Sequence, residues 1–109
     1  MTKTEFDNLI LRLVKARIDI TLRWDDTKMI YDLNTGMKSH LYIAWCDEDQ
    51  AIQCLARYDH EATVDTWESL LLQVKYCMHG RDFANLNWIS LLLAEGVMKE
   101  VKTVTVQYL

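Results

Sequence analysis

Residues 46–58, Cys-Asp-Glu-Asp-Gln-Ala-Ile-Gln-Cys-Leu-Ala-Arg-Tyr, decide how this 109-residue chain divides between helix and sheet. Ile52, Cys54, Ala56 and Tyr58 alternate as a strand would. On a helical wheel, however, Ala51, Ile52, Cys54, Leu55, Ala56 and Tyr58 share one broad face, with Gln50, Gln53 and Arg57 opposite. Asp47 followed by Gln50 makes an N-cap pair, and acids in a first turn suit the helix dipole. The helical reading fits better and predicts a helix here.

The flanking segments are read by the same two periods. Thr4-x-x-Asp7 opens the chain like a capping box, and Phe6, Leu9, Ile10 and Leu13 share a face, which predicts a helix from Thr4 to about Val14. From Ile18 the period becomes two. Ile18, Ile20, Leu22 and Trp24 point one way, Asp25-Asp26-Thr27 makes a polar turn, and Met29, Tyr31 and Leu33 resume the alternation, so Ile18 to Leu33 reads as a hairpin. A third strand runs from His40 to Trp45. A helix from about Thr66 to His79, capped by Asp65 with Glu68, carries Trp67, Leu70, Leu71, Val74, Cys77 and Met78 as its stripe and Leu72 and Tyr76 on its back. A last helix, capped by Asp82 and running to Glu95, is apolar nearly all round. Val104, Val106 and Tyr108 then alternate as a strand. The chain has no proline, and each of its three glycines, Gly36, Gly80 and Gly96, falls where a periodic segment ends.

The expected fold is therefore α+β, a single domain over residues 1–109 in the order α-β-β-β-α-α-α-β. It has a mostly antiparallel sheet with helices packed on one face. Half the residues are apolar and 26% are charged, which suits a compact domain and not a disordered chain. The longest nearly apolar run, Trp88 to Ala94, is far shorter than a membrane span, and the first residues lack a signal-peptide core. Three cysteines at irregular spacing, Cys46, Cys54 and Cys77, fit a cytoplasmic protein better than a secreted scaffold.

No enzyme motif is present: there is no glycine-rich phosphate loop, no Gly-x-Ser-x-Gly elbow and no His-Glu-x-x-His pair. Zinc ligation by the cysteines with His60 and His79 is disfavoured, because no Cys-x-x-Cys pair is present and Cys77 and His79, two residues apart on a predicted helix, lie about 200° from each other round the wheel. A nucleophile pair of Cys46 with His40 or His60 has no signature around it. Thus no catalytic residue, metal or cofactor is assigned. Trp24, Trp45 and Trp67 fall on apolar faces and are expected in the core.

Charge is the informative pattern. The net charge of −4 resolves into +1 for residues 1–46, −6 for residues 47–68 and +1 for residues 69–109. The middle segment holds Asp47, Glu48, Asp49, Asp59, Glu61, Asp65 and Glu68 against Arg57 alone. Helix capping accounts for Asp47, Glu48, Asp49, Asp65 and Glu68, whereas Asp59 and Glu61 are left over; if the acids share a face they steer a basic partner. Direct nucleic-acid binding and membrane-surface binding both lack the basic stripe they need.

The reading that results is a non-enzymatic interaction protein, an inhibitor or adaptor whose acidic residues occupy the surface of a basic, nucleic-acid-binding protein. Size and composition set it beside small adaptor, immunity and phage or mobile-element inhibitor proteins. The alternative is a structural or chaperone-like homo-oligomer joined through Leu72 and Tyr76 or through Trp88, Leu91 and Leu92 of the last helix.

Overall fold

The computed structural model describes residues 1–36, 39–56, 59–78 and 85–99. Helix α1 (Lys3–Lys15) is followed by five strands, β1 (Ile20–Asp25), β2 (Lys28–Gly36), β3 (Ser39–Cys46), β4 (Ala51–Ala56) and β5 (Asp59–Val64), and then by α2 (Trp67–Cys77) and α3 (Leu86–Ala94). The strands form one antiparallel sheet in chain order, β1-β2-β3-β4-β5. The α+β class and the first hairpin stand as expected. The segment 46–58 does not.

Ala51–Ala56 is a strand, paired on one side with β3 through Ile43 opposite Cys54 and on the other with β5 through Ile52 opposite Val64. The helical wheel misled because this strand is interior. Ile52 and Cys54 are buried under the helices, while Ala51 and Leu55 are buried on the opposite face, so apolar residues occur in both phases of the period. Such a strand reads as an apolar block that a broad helical face fits equally well. Asp47–Gln50 is consequently a turn and not a helix start. Gln50 adopts the left-handed region, φ 47°, and its side-chain amide donates to the Asp47 carbonyl at 2.8 Å. Residues 59–64, with no element expected, supply the fifth strand.

Helix boundaries also shift with their caps. Thr2, not Thr4, closes the first capping box with Glu5; each accepts the other's backbone N–H at 3.1 Å, and those bonds hold the Glu5 carboxyl below its usual range. Thr66, not Asp65, caps α2 with Ser69 as its reciprocal partner, and Asn85 caps α3. In α2 the cap lies one residue after the acid because β5 runs through Val64 before the chain turns. Gly96 ends α3 at φ 73°, as its position after a helical run implies. Asp82 and Gly80 lie outside the described residues, as does the strand expected at residues 103–108.

All three helices contribute to one main core. Phe6, Leu9 and Leu13 of α1, Leu70, Leu71 and Val74 of α2, and Trp88 and Leu92 of α3 meet Leu33, Leu41, Ile43, Ile52, Cys54 and Val64 of the sheet. Phe6 anchors α1 over β2 and β3, its ring 5.6 Å from Tyr31 and 5.5 Å from Trp45. This placement leaves β1 uncovered beyond Ile20, which still packs against the main core. Leu22 and Trp24 are exposed as a result, which corrects the expectation that Trp24 is core, while Trp45 is half-buried and Trp67 buried.

Candidate functional site: an acidic end of the sheet

Hairpin connections alternate between two ends of a meander, so the β1–β2 and β3–β4 turns fall together. An open cleft of about 790 Å³ spans them, lined by Trp24, Thr27 and Lys28 from the first and by Trp45, Asp47 and Glu48 from the second. The register of β4 with β5 brings a third element to the same end. Since Ile52 faces Val64, residues Asp65 and Thr66 emerge beside the β3–β4 turn. The N-terminal amine of Met1 confirms the proximity by donating to the Gln50 carbonyl at 3.0 Å, and Met1, Asp65 and Glu68 line one further cleft.

Five of the seven sequence-selected acids therefore share one end: Asp47, Glu48, Asp49, Asp65 and Glu68, all exposed. The structure draws the other two away. Asp59 opposes Ala56 at the far end of β4, roughly 17 Å along a strand of this length. Glu61 lies close enough to Cys54 and Cys77 to raise both thiols electrostatically. Two acids outside the 47–68 segment, Asp25 and Asp26, join the end through the β1–β2 hairpin. Only strand count and pairing reveal them, and both depended on reading residues 51–56 as a strand.

Bases are present at this end but engaged elsewhere. Lys3 bonds Asp7 at 2.8 Å and sits 4.8 Å from the Phe6 ring centroid; Lys28 donates to the Gln53 side chain. Among the described residues, none of Asp25, Asp26, Asp47, Glu48, Asp49, Asp65 and Glu68 is in an ion pair. The Asp47 carboxylate accepts from the Trp45 indole N–H at 2.7 Å. Seven carboxylates on two turns and a helix start thus make a locally negative surface.

A second constellation lies on the sheet face away from the helices. Asp32, nearly enclosed, accepts from His40 Nδ1 at 2.8 Å and from the Arg23 guanidinium at 3.3 Å, and His40 stacks on Tyr42 with centroids 6.0 Å apart. The charged trio of Arg23, Asp32 and His40 takes one residue from each of three neighbouring strands, which is why spacing along the chain does not show it. Its charges are mutually compensated and it knits the strands together.

The cysteines take up structural positions. Burial pushes the Cys54 thiol up to about 11 and raises Cys77 as well, so neither supplies a thiolate at neutral pH. Cys46 and His40 stand six residues apart on one strand, beyond hydrogen-bonding reach. Among the described residues no group of three or more His, Cys, Asp or Glu is placed to hold a metal, and no helix is long and apolar enough to cross a membrane. Of the proposed oligomer residues, Trp88 and Leu92 are fully enclosed within the chain and Leu91 partly so, whereas Leu72 and Tyr76 are exposed.

Fold and surface together define an α+β domain with a five-stranded antiparallel meander that presents carboxylates at one end. Comparison of the chain with protein-family models, with curated proteins and with solved structures finds no match.

Proposed function

We propose that the protein is a non-enzymatic binding protein, acting in the cytoplasm as an inhibitor or adaptor that occupies the surface of a basic protein partner. The observation that carries the reading is the set of seven exposed carboxylates at one end of the sheet, none of them in an ion pair among the described residues although lysines and the N-terminus lie beside them. Helix capping no longer explains Asp47, Glu48 and Asp49, because no helix starts there. A negative surface of this kind accelerates encounter with a positively charged partner and rejects acidic ones. Nucleic-acid-binding proteins present such basic surfaces, and blocking one requires contact alone.

The test is capture from a host lysate with the wild-type chain and with a Glu48→Lys, Asp49→Lys, Asp65→Lys, Glu68→Lys variant. Recovery of a basic protein by the first and not the second is the expected result. Equal recovery by both, or recovery of acidic proteins only, contradicts the proposal.

A further inference from the structure

Among the described residues β1 pairs only with β2, and its outer edge is open. The direction of its backbone groups follows from one bond: the Asn34 amide donates to the Asp19 carbonyl at 3.1 Å. Residues of odd number in this strand therefore turn their N–H and C=O toward β2, and Ile20, Leu22 and Trp24 turn theirs outward. Those same three residues point their side chains to the helix-bearing side of the sheet, where α1 covers β2 and β3 but stops short of β1. Leu22 is 56% and Trp24 67% exposed, with Leu11 at 54% and Val14 at 56% on the neighbouring helix. Val14 shares with Ile10 and Lys3 the flank of α1 that looks toward β1, since Lys3 lines the same cleft as Trp24.

We infer that this edge binds a second copy of the chain, β1 against β1 in antiparallel pairing about a two-fold axis at Leu22. The strand is self-complementary in that register. Ile20 faces the partner's Trp24, Leu22 faces the partner's Leu22, and each of the three pairs uses outward backbone groups, giving six main-chain hydrogen bonds. On the other face Thr21 meets the partner's Arg23.

Neighbouring registers are worse. Sliding two residues one way sets Arg23 against the partner's Arg23, and sliding the other way leaves Trp24 opposite the partner's Ile18, which is buried outside the strand. The two like-charged pairs created, Asp19 with the partner's Asp25 and its symmetry mate, lie at exposed ends where water screens them. Burying Val14, Leu22 and Trp24 in both copies, together with the outer backbone of the two β1 strands, removes roughly 1,000 Å² of surface, about the minimum that a specific interface clears. The pairing turns two five-stranded sheets into one of ten strands and removes an edge that otherwise invites disordered association.

Sedimentation equilibrium on the full chain tests this, with circular dichroism to establish that each variant is folded. The wild type is expected at twice its 12.8 kDa chain mass at micromolar concentration. Leu22→Lys and Trp24→Lys each weaken association by at least about tenfold, and Tyr76→Lys on the exposed back of α2 leaves it unchanged. A Leu22→Cys chain forms an intermolecular disulfide under mild oxidation, since the dyad brings the two positions within bridging distance, and a Thr21→Cys chain does not. A wild type that stays monomeric, a dimer that survives Leu22→Lys, or one abolished by Tyr76→Lys overturns the inference.

Discussion

At the end of the sheet where β2 turns into β3, polar groups are joined to one another. Thr35 donates to Ser39 at 2.7 Å, Ser39 donates to the Cys77 carbonyl at the end of α2, the Trp88 indole donates to the Asn34 carbonyl at 2.8 Å, and the Asn85 amide reaches the Thr35 carbonyl. These bonds fasten α2 and α3 to the sheet. At the opposite end seven carboxylates stand in solvent with no ion pair among the described residues. The contrast separates the part of the molecule that holds the fold from the part available to a partner. Substitutions at the first end should therefore change stability, and those at the second should change association.

The largest stability effect is expected from Trp88→Ala, because the side chain is wholly buried and its N–H is bonded. Truncation costs about 3–5 kcal/mol, read by denaturant unfolding, and a cost near zero would mean that α3 is not fastened to the sheet. Ser39→Ala comes next. It removes two hydrogen bonds and leaves the buried Thr35 hydroxyl without its acceptor, an expected loss of about 1–3 kcal/mol.

Alkaline pH probes the core between the two ends. Cys54 is raised from 9.0 to about 11, chiefly by burial, so the fold retains a proton that the unfolded chain releases. Its contribution to stability is complete below pH 9 and is lost as pH climbs toward 11. Unfolding measured across that window should show a decline that Cys54→Ala reduces. The smallest stability effect belongs to the acidic end, where Glu48→Lys and Asp49→Lys should each stay within about 0.5 kcal/mol of wild type, as exposed turn residues do.

Much of this was legible in the residues. Phe6, Leu9 and Leu13 announced α1, the alternation from Ile18 to Leu33 gave the first hairpin, and Trp67, Leu70, Leu71 and Val74 marked the buried stripe of α2. The interior strand was not legible, because Ala51, Ile52, Cys54 and Leu55 are buried on both of its faces and lose the polar phase that distinguishes a strand from a helix. That one reading also hid the site. A helix start at residues 47–49 gives their charge a local explanation and gives Asp25 and Asp26 no reason to be grouped with them. Trp24 was misplaced for a different reason, since alternation fixes the side of the sheet to which a residue points but not whether a helix lies over it.

The claim that the acidic end is the binding surface is tested most directly by titrating a Lys/Arg-rich peptide against three forms of the chain at increasing ionic strength. The forms are wild type, the Glu48→Lys, Asp49→Lys, Asp65→Lys, Glu68→Lys variant, and an Asp59→Lys, Glu61→Lys variant that makes the same type of change away from that end. Binding that weakens with salt in the wild type, persists in the Asp59/Glu61 variant and disappears in the other is the predicted result. Equal binding by all three forms, or no binding by the wild type at low salt, would contradict it.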